Sequence, residues 1–213
     1  MVQNFIDEVI NDFSKKKDGS LLILAKQNFF PEIGWLSEEN PYYVQLLLYF
    51  HQWCLLEYKD KSILNEFLDS RKDNLSIDTK RIYTQIKNYD FSIYEVTKIK
   101  RENIFLKDLI SNKKFPVYFS STIEMFRVGD IIQARIFPYY DFYVLTEGFL
   151  LHPSFMKKEF VKFFKKNKRS SDFTNSMKLK CLEEITRVWL KSKRYNHVDP
   201  VKIYKDLHLY EAR

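Results

Sequence analysis

Hydrophobic positions in the first 90 residues recur at steps of three and four, which is the spacing of amphipathic helices. Residues 2–16 are the clearest example, because an apolar stripe lies opposite a polar and acidic face. Residues 42–59 are apolar almost all round, and Asn40 followed by Pro41 is typical of a helix start, so this segment is the predicted central buried helix. Ser76 is the predicted cap of a later helix.

The period changes to two near residue 91, and about five short strand-like runs follow. These runs are SIYEVTKI, NIFLKDLI, FPVYF, DIIQARIF and DFYVLTEGFLL. Turn residues separate them, such as Asn112 and Gly129-Asp130. Close sequential strands favour antiparallel pairing, because a parallel pair normally needs a helical crossover and none lies between them. We predict a small antiparallel β-barrel or a curled five-stranded sheet, with SH3-like and OB-like topologies both open.

The helical period returns after Pro153, so the whole pattern predicts an α+β protein in three parts. The predicted parts are a helical unit over residues 1–90, a barrel-like unit over 91–152 and a basic helical unit over 153–213. The three parts form either separate units or one compact domain.

Positive charge is concentrated towards the C-terminal end of the 213-residue chain. Residues 151–213 contain 16 Lys or Arg and 7 Asp or Glu, whereas residues 1–150 contain 19 and 21. An AT-rich coding bias accounts for much of the lysine and aromatic content, but it does not account for this asymmetry. The basic C-terminal helices are therefore expected to carry a positive field.

Several classes of protein are disfavoured by what the sequence lacks. No segment approaches the ~20 apolar residues of a membrane-spanning helix, and the acidic, amphipathic start is unlike a signal peptide. Cys54 and Cys181 are far apart, which suits a reducing cytoplasm. The four glycines are too scattered for a nucleotide-binding loop, and no hydrolase, kinase or metalloprotease motif is present. We expect a cytoplasmic protein without a cofactor, with enzymatic activity uncertain but disfavoured.

Residues 53–166 resemble a group of uncharacterised bacterial proteins associated with the SEC-C zinc-knuckle motif. The matching segments are LNEFL, SIYEV, IFLKDLISNKKFPV, VGDIIQARIFP and FYVLTEGFLLHP. A SEC-C knuckle needs three cysteines and a further Cys or His, and this chain has no such cluster. The resemblance therefore implies fold boundaries, but neither bound metal nor a reaction.

Two clusters of residues are candidates for chemistry. His51 and Cys54 lie three apart on one helix, where they are either an activated thiol pair or simply buried core residues. Asp130, Glu147 and His152 fall in turns and at the end of the last strand, where an acid–base or metal site is conceivable. The alternative is that the carboxylates simply face water. If the protein is an enzyme, the second cluster is the expected site.

The basic run KKEFVKFFKKNKR is the strongest indication of a partner. Its phenylalanines form a helical stripe that packs on the core or lies exposed, and its cations remain available in either case. We predict contact with the RNA or DNA backbone without sequence readout, and a protein partner is the alternative. The predicted contact residues are Lys157, Lys158, Lys162, Lys165, Lys166, Lys168 and Arg169.

Overall fold

The computed structural model of the chain describes residues 2–16, 20–29, 34–71, 73–119, 123–168 and 174–205. Eight α-helices and six strands lie within these ranges, and the predicted α+β class is confirmed. The helices are α1 (Val2–Lys16), α2 (Ser20–Asn28), α3 (Tyr43–Leu56), α4 (Ser62–Ser70), α5 (Ile77–Ile86), α6 (Lys157–Lys168), α7 (Asn175–Arg194) and α8 (Pro200–Lys205). The strands are β1 (Asp90–Lys100), β2 (Asn103–Asp108), β3 (Lys114–Phe119), β4 (Ile131–Tyr139), β5 (Phe142–Leu145) and β6 (Leu150–His152).

Side chains at the helix ends set several of these boundaries. Ser76 caps α5 as predicted, because its Oγ accepts a hydrogen bond from the backbone N–H of Thr79 at 3.1 Å. The predicted start of α3 directly after Asn40 is wrong by two residues. Asn40 Oδ1 accepts a hydrogen bond from the backbone N–H of Tyr42 at 3.0 Å, and the resulting turn delays the helix.

Five strands close into a barrel in the order β1-β2-β3-β5-β4, with β4 paired back onto β1. The predicted small barrel is thus present, but β3 and β5 run parallel, with Val117 opposite Tyr143. β3 and β5 can run parallel without a helical crossover because β4 lies between them in the chain. β4 crosses to the far side of the barrel, and the chain then returns beside β3 as β5. A parallel pair at this place in a five-stranded barrel corresponds to the OB-like topology and not the SH3-like one. The last predicted run divides into β5 and an extra strand, β6, which pairs with the beginning of β4.

Strand β1 pairs with two partners because it bends. Residues 90–95 pair with β4, and residues 94–100 pair with β2. The register shifts between Val96 and Lys98, which marks a β-bulge of the kind that turns a strand around a barrel.

Two hydrophobic cores result from this arrangement. One fills the barrel and includes Tyr94, Leu106 and Ile132, while the other lies between the helices and the outer side of β4. The outer side of β4 is covered so completely that Phe137 is fully buried. In contrast, β2 alternates between buried residues and residues that are exposed or half-buried, beginning with the exposed Asn103. The outer side of the barrel is therefore covered at β4 and open to solvent at β2 and β3.

A buried ion pair joins α3 to the covered side of the barrel. The Arg135 guanidinium donates to both oxygens of the Glu57 carboxylate, with an Nε–Oε1 distance of 2.7 Å. The rings of Tyr49 and Phe91 lie 4.6 and 4.2 Å from the guanidinium carbon. Burial alone would lower the pKa of Arg135, but the Glu57 carboxylate raises it above its ordinary value. The pair joins the helical layer to β4, while Nη1 of Arg135 is buried without a hydrogen-bond partner among the described residues.

Candidate functional site

Asp130, Glu147 and His152, the residues predicted for an enzymatic site, occupy three different surroundings. The Asp130 carboxylate stabilises its own turn, since Oδ2 accepts a hydrogen bond from the backbone N–H of Arg127 at 2.7 Å. Glu147 is exposed beside an apolar cavity of about 500 Å³ that adjoins α3. His152 is only 3% exposed, at the end of β6. The structure therefore does not bring these side chains together in one cleft.

His152 belongs to a buried hydrogen-bond network between the barrel and the C-terminal helices. Its Nδ1 lies 2.8 Å from the Tyr204 hydroxyl, and its Nε2 lies 3.3 Å from Oε1 of Gln133. The Gln133 amide nitrogen donates to the carbonyl oxygen of Leu182, so Oε1 is the acceptor and the neutral imidazole donates from Nε2. Burial, with a smaller contribution from the charge of Lys193, lowers the pKa of His152 to about 3. His152 therefore remains uncharged near neutral pH and acts as a structural link.

Cys54 is a core residue, whereas His51, three positions earlier on α3, is half-buried. Cys54 is fully buried on α3, and burial raises the pKa of its thiol. Burial also lowers the pKa of His51, whose Nδ1 has no hydrogen-bond partner among the described residues. An activated thiolate needs a lowered thiol pKa and a nearby positive charge, so the pair is not arranged for nucleophilic chemistry.

Helix α6 buries its aromatic stripe and exposes most of its lysines. Phe160, Phe163 and Phe164 pack in the core, whereas Phe155, which precedes the helix, is 51% exposed. The opposite face carries lysines that are all exposed, namely Lys158, Lys162, Lys165 and Lys166. Lys162 forms an ion pair with Glu159 at 3.0 Å. The stripe is therefore covered by the protein itself, and Arg169 lies outside the described residues.

A second basic surface lies on the open side of the barrel, and we call it the barrel face. It is formed by the outward residues of β1, β2 and β3, by their turns and by the start of β5. Its members are Lys98, Lys100, Arg101, Asn103, Phe105, Lys107, Lys113, Lys114, Pro116, Tyr118 and Phe142.

Cations dominate the barrel face. The chain has six Lys or Arg between residues 98 and 114, and only Glu102 and Asp108 oppose them. Asp108 is buried, where its Oδ1 accepts hydrogen bonds from Ser92 Oγ and the backbone N–H of Ile110, both at 2.7 Å. Lys107 lies between Lys114 of β3 and Glu95 of β1 in the sheet register, so one carboxylate partly offsets this pair of like charges. All the charged members of the barrel face are cations, and the face therefore carries a net positive charge.

Aromatic rings lie between these cations. Phe105 is opposite Pro116 on the neighbouring strand, and the Nζ of Lys98 lies 5.6 Å from the centre of its ring. Tyr118 lies one outward position further along β3, with its ring in edge contact with Phe142 at a centroid distance of 6.2 Å. Phe142 is 40% exposed, and the other two rings are half-buried. The barrel face thus combines a ring platform with a basic surround.

Helix α6 contacts the border of the barrel face at both of its ends. Near the start of the helix, Lys157 forms an ion pair with Glu95 of β1 at 2.5 Å. At its end, Lys168 donates a hydrogen bond to the carbonyl oxygen of Ile110 in the β2–β3 turn at 2.6 Å. Glu95 is paired with Lys107 in the sheet register. The lysines of α6 therefore lie next to the border of the barrel face, with Glu95 between the two groups of cations at one end.

The lysines of α6 can be located from the sequence, but the barrel face is hidden in it. Acidic helices cancel the basic strands in the charge of residues 1–150, although residues 98–114 alone are clearly positive. Coding bias and core packing are sufficient to explain the aromatic content of the strands. A charge sum over residues 98–114, combined with the alternation of inward and outward residues along the strands, would have placed the cations and the aromatic rings on the same side of the sheet.

The fold and this surface define an α+β protein built around an OB-like barrel with one basic, aromatic outer face. Residues 36–183 match the model of a family of unknown function, DUF7986. The match covers more than half of the chain, and the protein belongs to this family. The matched region contains the whole barrel and α6, so both parts of the basic surface lie within it.

The other comparisons add no further relatives. Neither the curated proteins nor the solved structures gave a match. The resemblance to the SEC-C-associated group stays a prediction. Within the described ranges, no group of three or more His, Cys, Asp or Glu is arranged to hold a metal ion, and no helix has the length and apolar character needed to cross a membrane.

Proposed function

We propose that this protein is a non-enzymatic, cytoplasmic binding protein that contacts the sugar–phosphate backbone of nucleic acid through the barrel face and the lysines of α6. The observation that carries the proposal is that these two basic surfaces are neighbours, since the Lys157–Glu95 and Lys168–Ile110 contacts place the ends of α6 beside β1 and the β2–β3 turn. A row of cations on a rigid scaffold neutralises phosphates and releases counterions, which gives affinity for any nucleic-acid sequence.

The kind of cation favours contact with the backbone over readout of base edges. Arg101 is the only arginine among the described cations of this surface, and the others are lysines. Lysine acts as a point charge on phosphate, whereas arginine provides the planar fork that reads guanine. Barrels of the OB type bind oligonucleotides on the same strands, and this likeness of fold is consistent with the proposal. Cys54 and Cys181 are buried free thiols, which suits a reducing compartment.

A protein partner is the alternative occupant of the barrel face. The aromatic stripe of α6, which was the other predicted docking surface, is already covered in the core. The enzymatic alternative has no cleft that joins Asp130, Glu147 and His152. Backbone binding is therefore the function that the geometry supports best.

Charge reversal tests the proposal. We expect Lys158→Glu/Lys165→Glu on α6 and Lys100→Glu/Lys114→Glu on the barrel face each to weaken binding of a labelled oligonucleotide by at least roughly tenfold at ~50 mM salt. Fluorescence anisotropy measures the affinity, and the dependence of log K on log[salt] should become less steep, since each lost phosphate contact removes about 0.7–0.9 from the slope.

The matched control reverses two exposed lysines on other helices, Lys15 on α1 and Lys80 on α5. Lys15→Glu/Lys80→Glu changes the net charge equally, and we expect it to leave the affinity within about twofold because neither lysine belongs to the barrel face or to α6. An equal loss in this control would show that only net charge matters. Absence of binding by the wild type at ~50 mM salt would refute the proposal.

A further inference from the structure

We infer that the barrel face binds single-stranded nucleic acid by stacking unpaired bases on Phe105, Tyr118 and Phe142, while the lysines of α6 follow the backbone of the same strand. This inference rests on the proposed function and adds the class of nucleic acid. It is carried by the placement of the three rings among the cations of the barrel face, and it does not depend on the lysines alone.

The three rings are placed where a base can reach them. They project outward from β2, β3 and β5, on the opposite side of these strands from the barrel core. Pro116 lies beside Phe105 and adds a flat, exposed apolar surface between the strands. The edge contact of Tyr118 with Phe142 leaves the two ring faces at an angle of 71° to each other, so each offers a different stacking surface. Aromatic rings in this setting stack on any base, because every base has a π-face.

The shape of the barrel face favours an unpaired strand over a duplex. The bases of a duplex are stacked on one another, so their faces are closed to side chains from outside. Stacking on the rings needs a base with an open face, and an unpaired strand offers such bases along its length. A single strand can lay its bases on the rings and turn its phosphates towards Lys98, Lys100 and Lys114.

The lysines of α6 extend the path of the backbone. The helix has 12 residues and is therefore about 18 Å long. Its contacts with Glu95 and Ile110 place it beside the row that contains Lys107 and Lys114. A strand that leaves the rings across this row reaches the exposed side of α6, where Lys158, Lys162 and Lys165 follow one another along the helix axis.

The test compares ring variants on single-stranded and double-stranded probes. The probes are labelled oligo(U), oligo(dT) and a duplex, each about 20 nucleotides long, which exceeds the site size of one such barrel. We expect the wild type to prefer both single strands to the duplex. Phe105→Leu and Tyr118→Leu should each weaken single-strand binding by roughly 5- to 150-fold, the range for loss of one stacked base, and leave duplex binding within about twofold.

The control is Tyr195→Leu, which removes an aromatic side chain at the end of α7 that is more exposed (41%) than Phe105 or Tyr118. Its affinity for all probes should match the wild type. Thermal melting shows whether each variant is folded. Photo-cross-linking of wild-type protein to a 4-thiouracil-substituted strand gives a second measurement that needs no variant, and the cross-linked peptides should contain Phe105 or Tyr118.

The outcomes separate this inference from the proposed function. If the lysine variants weaken binding while the ring variants bind every probe like the wild type, the stacking inference is wrong and backbone binding stands. Equal affinity for the single strands and the duplex, or cross-links confined to other parts of the chain, would also overturn it. If the wild type binds no probe at ~50 mM salt, the proposed function fails first. A preference between oligo(U) and oligo(dT) would distinguish RNA from DNA as the natural strand.

Discussion

At the scale of single residues, His152 shows how burial decides what a titratable group does. The residue ends a strand, where the sequence suggested an acid–base site, yet its imidazole lies between Tyr204 and Gln133 in the core. Burial lowers its pKa to about 3, so the folded protein holds it neutral. An unfolded chain protonates the same group near pH 6.5, which links the stability of the fold to pH.

Acid should therefore destabilise the protein through His152. His152 takes up a proton below pH 6.5 in the unfolded state, but only near pH 3 in the folded state. The contribution of His152 to the free energy of unfolding is therefore fully present above pH 6.5, and it is lost as the pH decreases from 6.5 towards 3. Between pH 7.5 and 5 we expect a loss of about 2 kcal/mol from this site. Urea unfolding at a series of pH values measures it. His152→Gln should flatten the curve, and His197→Gln, at an exposed position, should not.

The same slope in wild type and His152→Gln would contradict this account of His152. His51 also has a pKa lowered by burial, so part of the wild-type slope is expected to remain in His152→Gln. The comparison of the two variants separates these contributions, because His51 is intact in both.

At the scale of elements, the loop between β5 and β6 packs against α3 with almost no space. A Cβ at Gly148 would lie 2.1 Å from Nε2 of Gln52 and 2.9 Å from the carbonyl oxygen of Leu48. Gln52 is fully buried and donates a hydrogen bond to Thr146 at 2.6 Å, so it has little freedom to move away. This contact explains why glycine is needed at position 148, where no turn geometry demands it.

We expect Gly148→Ala to destabilise the protein by about 1–3 kcal/mol, since overpacking displaces Gln52 from Thr146. Chemical denaturation measures the free energy of unfolding. In a Gln52→Ala background the obstructing amide is absent, so the same substitution should cost clearly less. An undiminished cost in that background would show that the strain arises elsewhere.

Elements were predicted from sequence better than their arrangement. The stripe of residues 2–16 and the cap at Ser76 gave helices at the expected places, because both signals are local. The parallel pairing of β3 with β5 was not predictable from spacing, because it depends on β4 crossing the barrel to meet β1. The delay of α3 to Tyr43 depends on a side-chain turn that competes with the cap.

The candidate site was predicted only in part, for a physical reason. The lysines of α6 form a dense run that any charge count detects. The barrel face takes its residues from four strands, and its members become neighbours only once the sheet register is known. The helices that cover β4 also determine which side of the sheet is open to solvent. The alternation of polar and apolar residues along a strand therefore could not by itself distinguish the basic open side from the buried side.

At the scale of the whole molecule, the helices cover one side of an OB-like barrel and leave the other open. The open side and α6 both carry cations, and contacts at the two ends of α6 make them neighbours although the two segments are far apart in sequence. Because the chain as a whole has a net charge of only +7, the local concentration of charge matters more than the total. The central claim is that these two segments form one surface for nucleic acid.

Lysine footprinting tests this claim most directly. The protein is acetylated briefly with and without a saturating oligo(U) of about 20 nucleotides, and mass spectrometry reports the reactivity of each lysine. The account predicts that the lysines of the barrel face and those of α6 are protected together, whereas Lys15 and Lys80 react at an unchanged rate. Protection that omits the barrel face or α6, or that falls equally on all lysines, would contradict it.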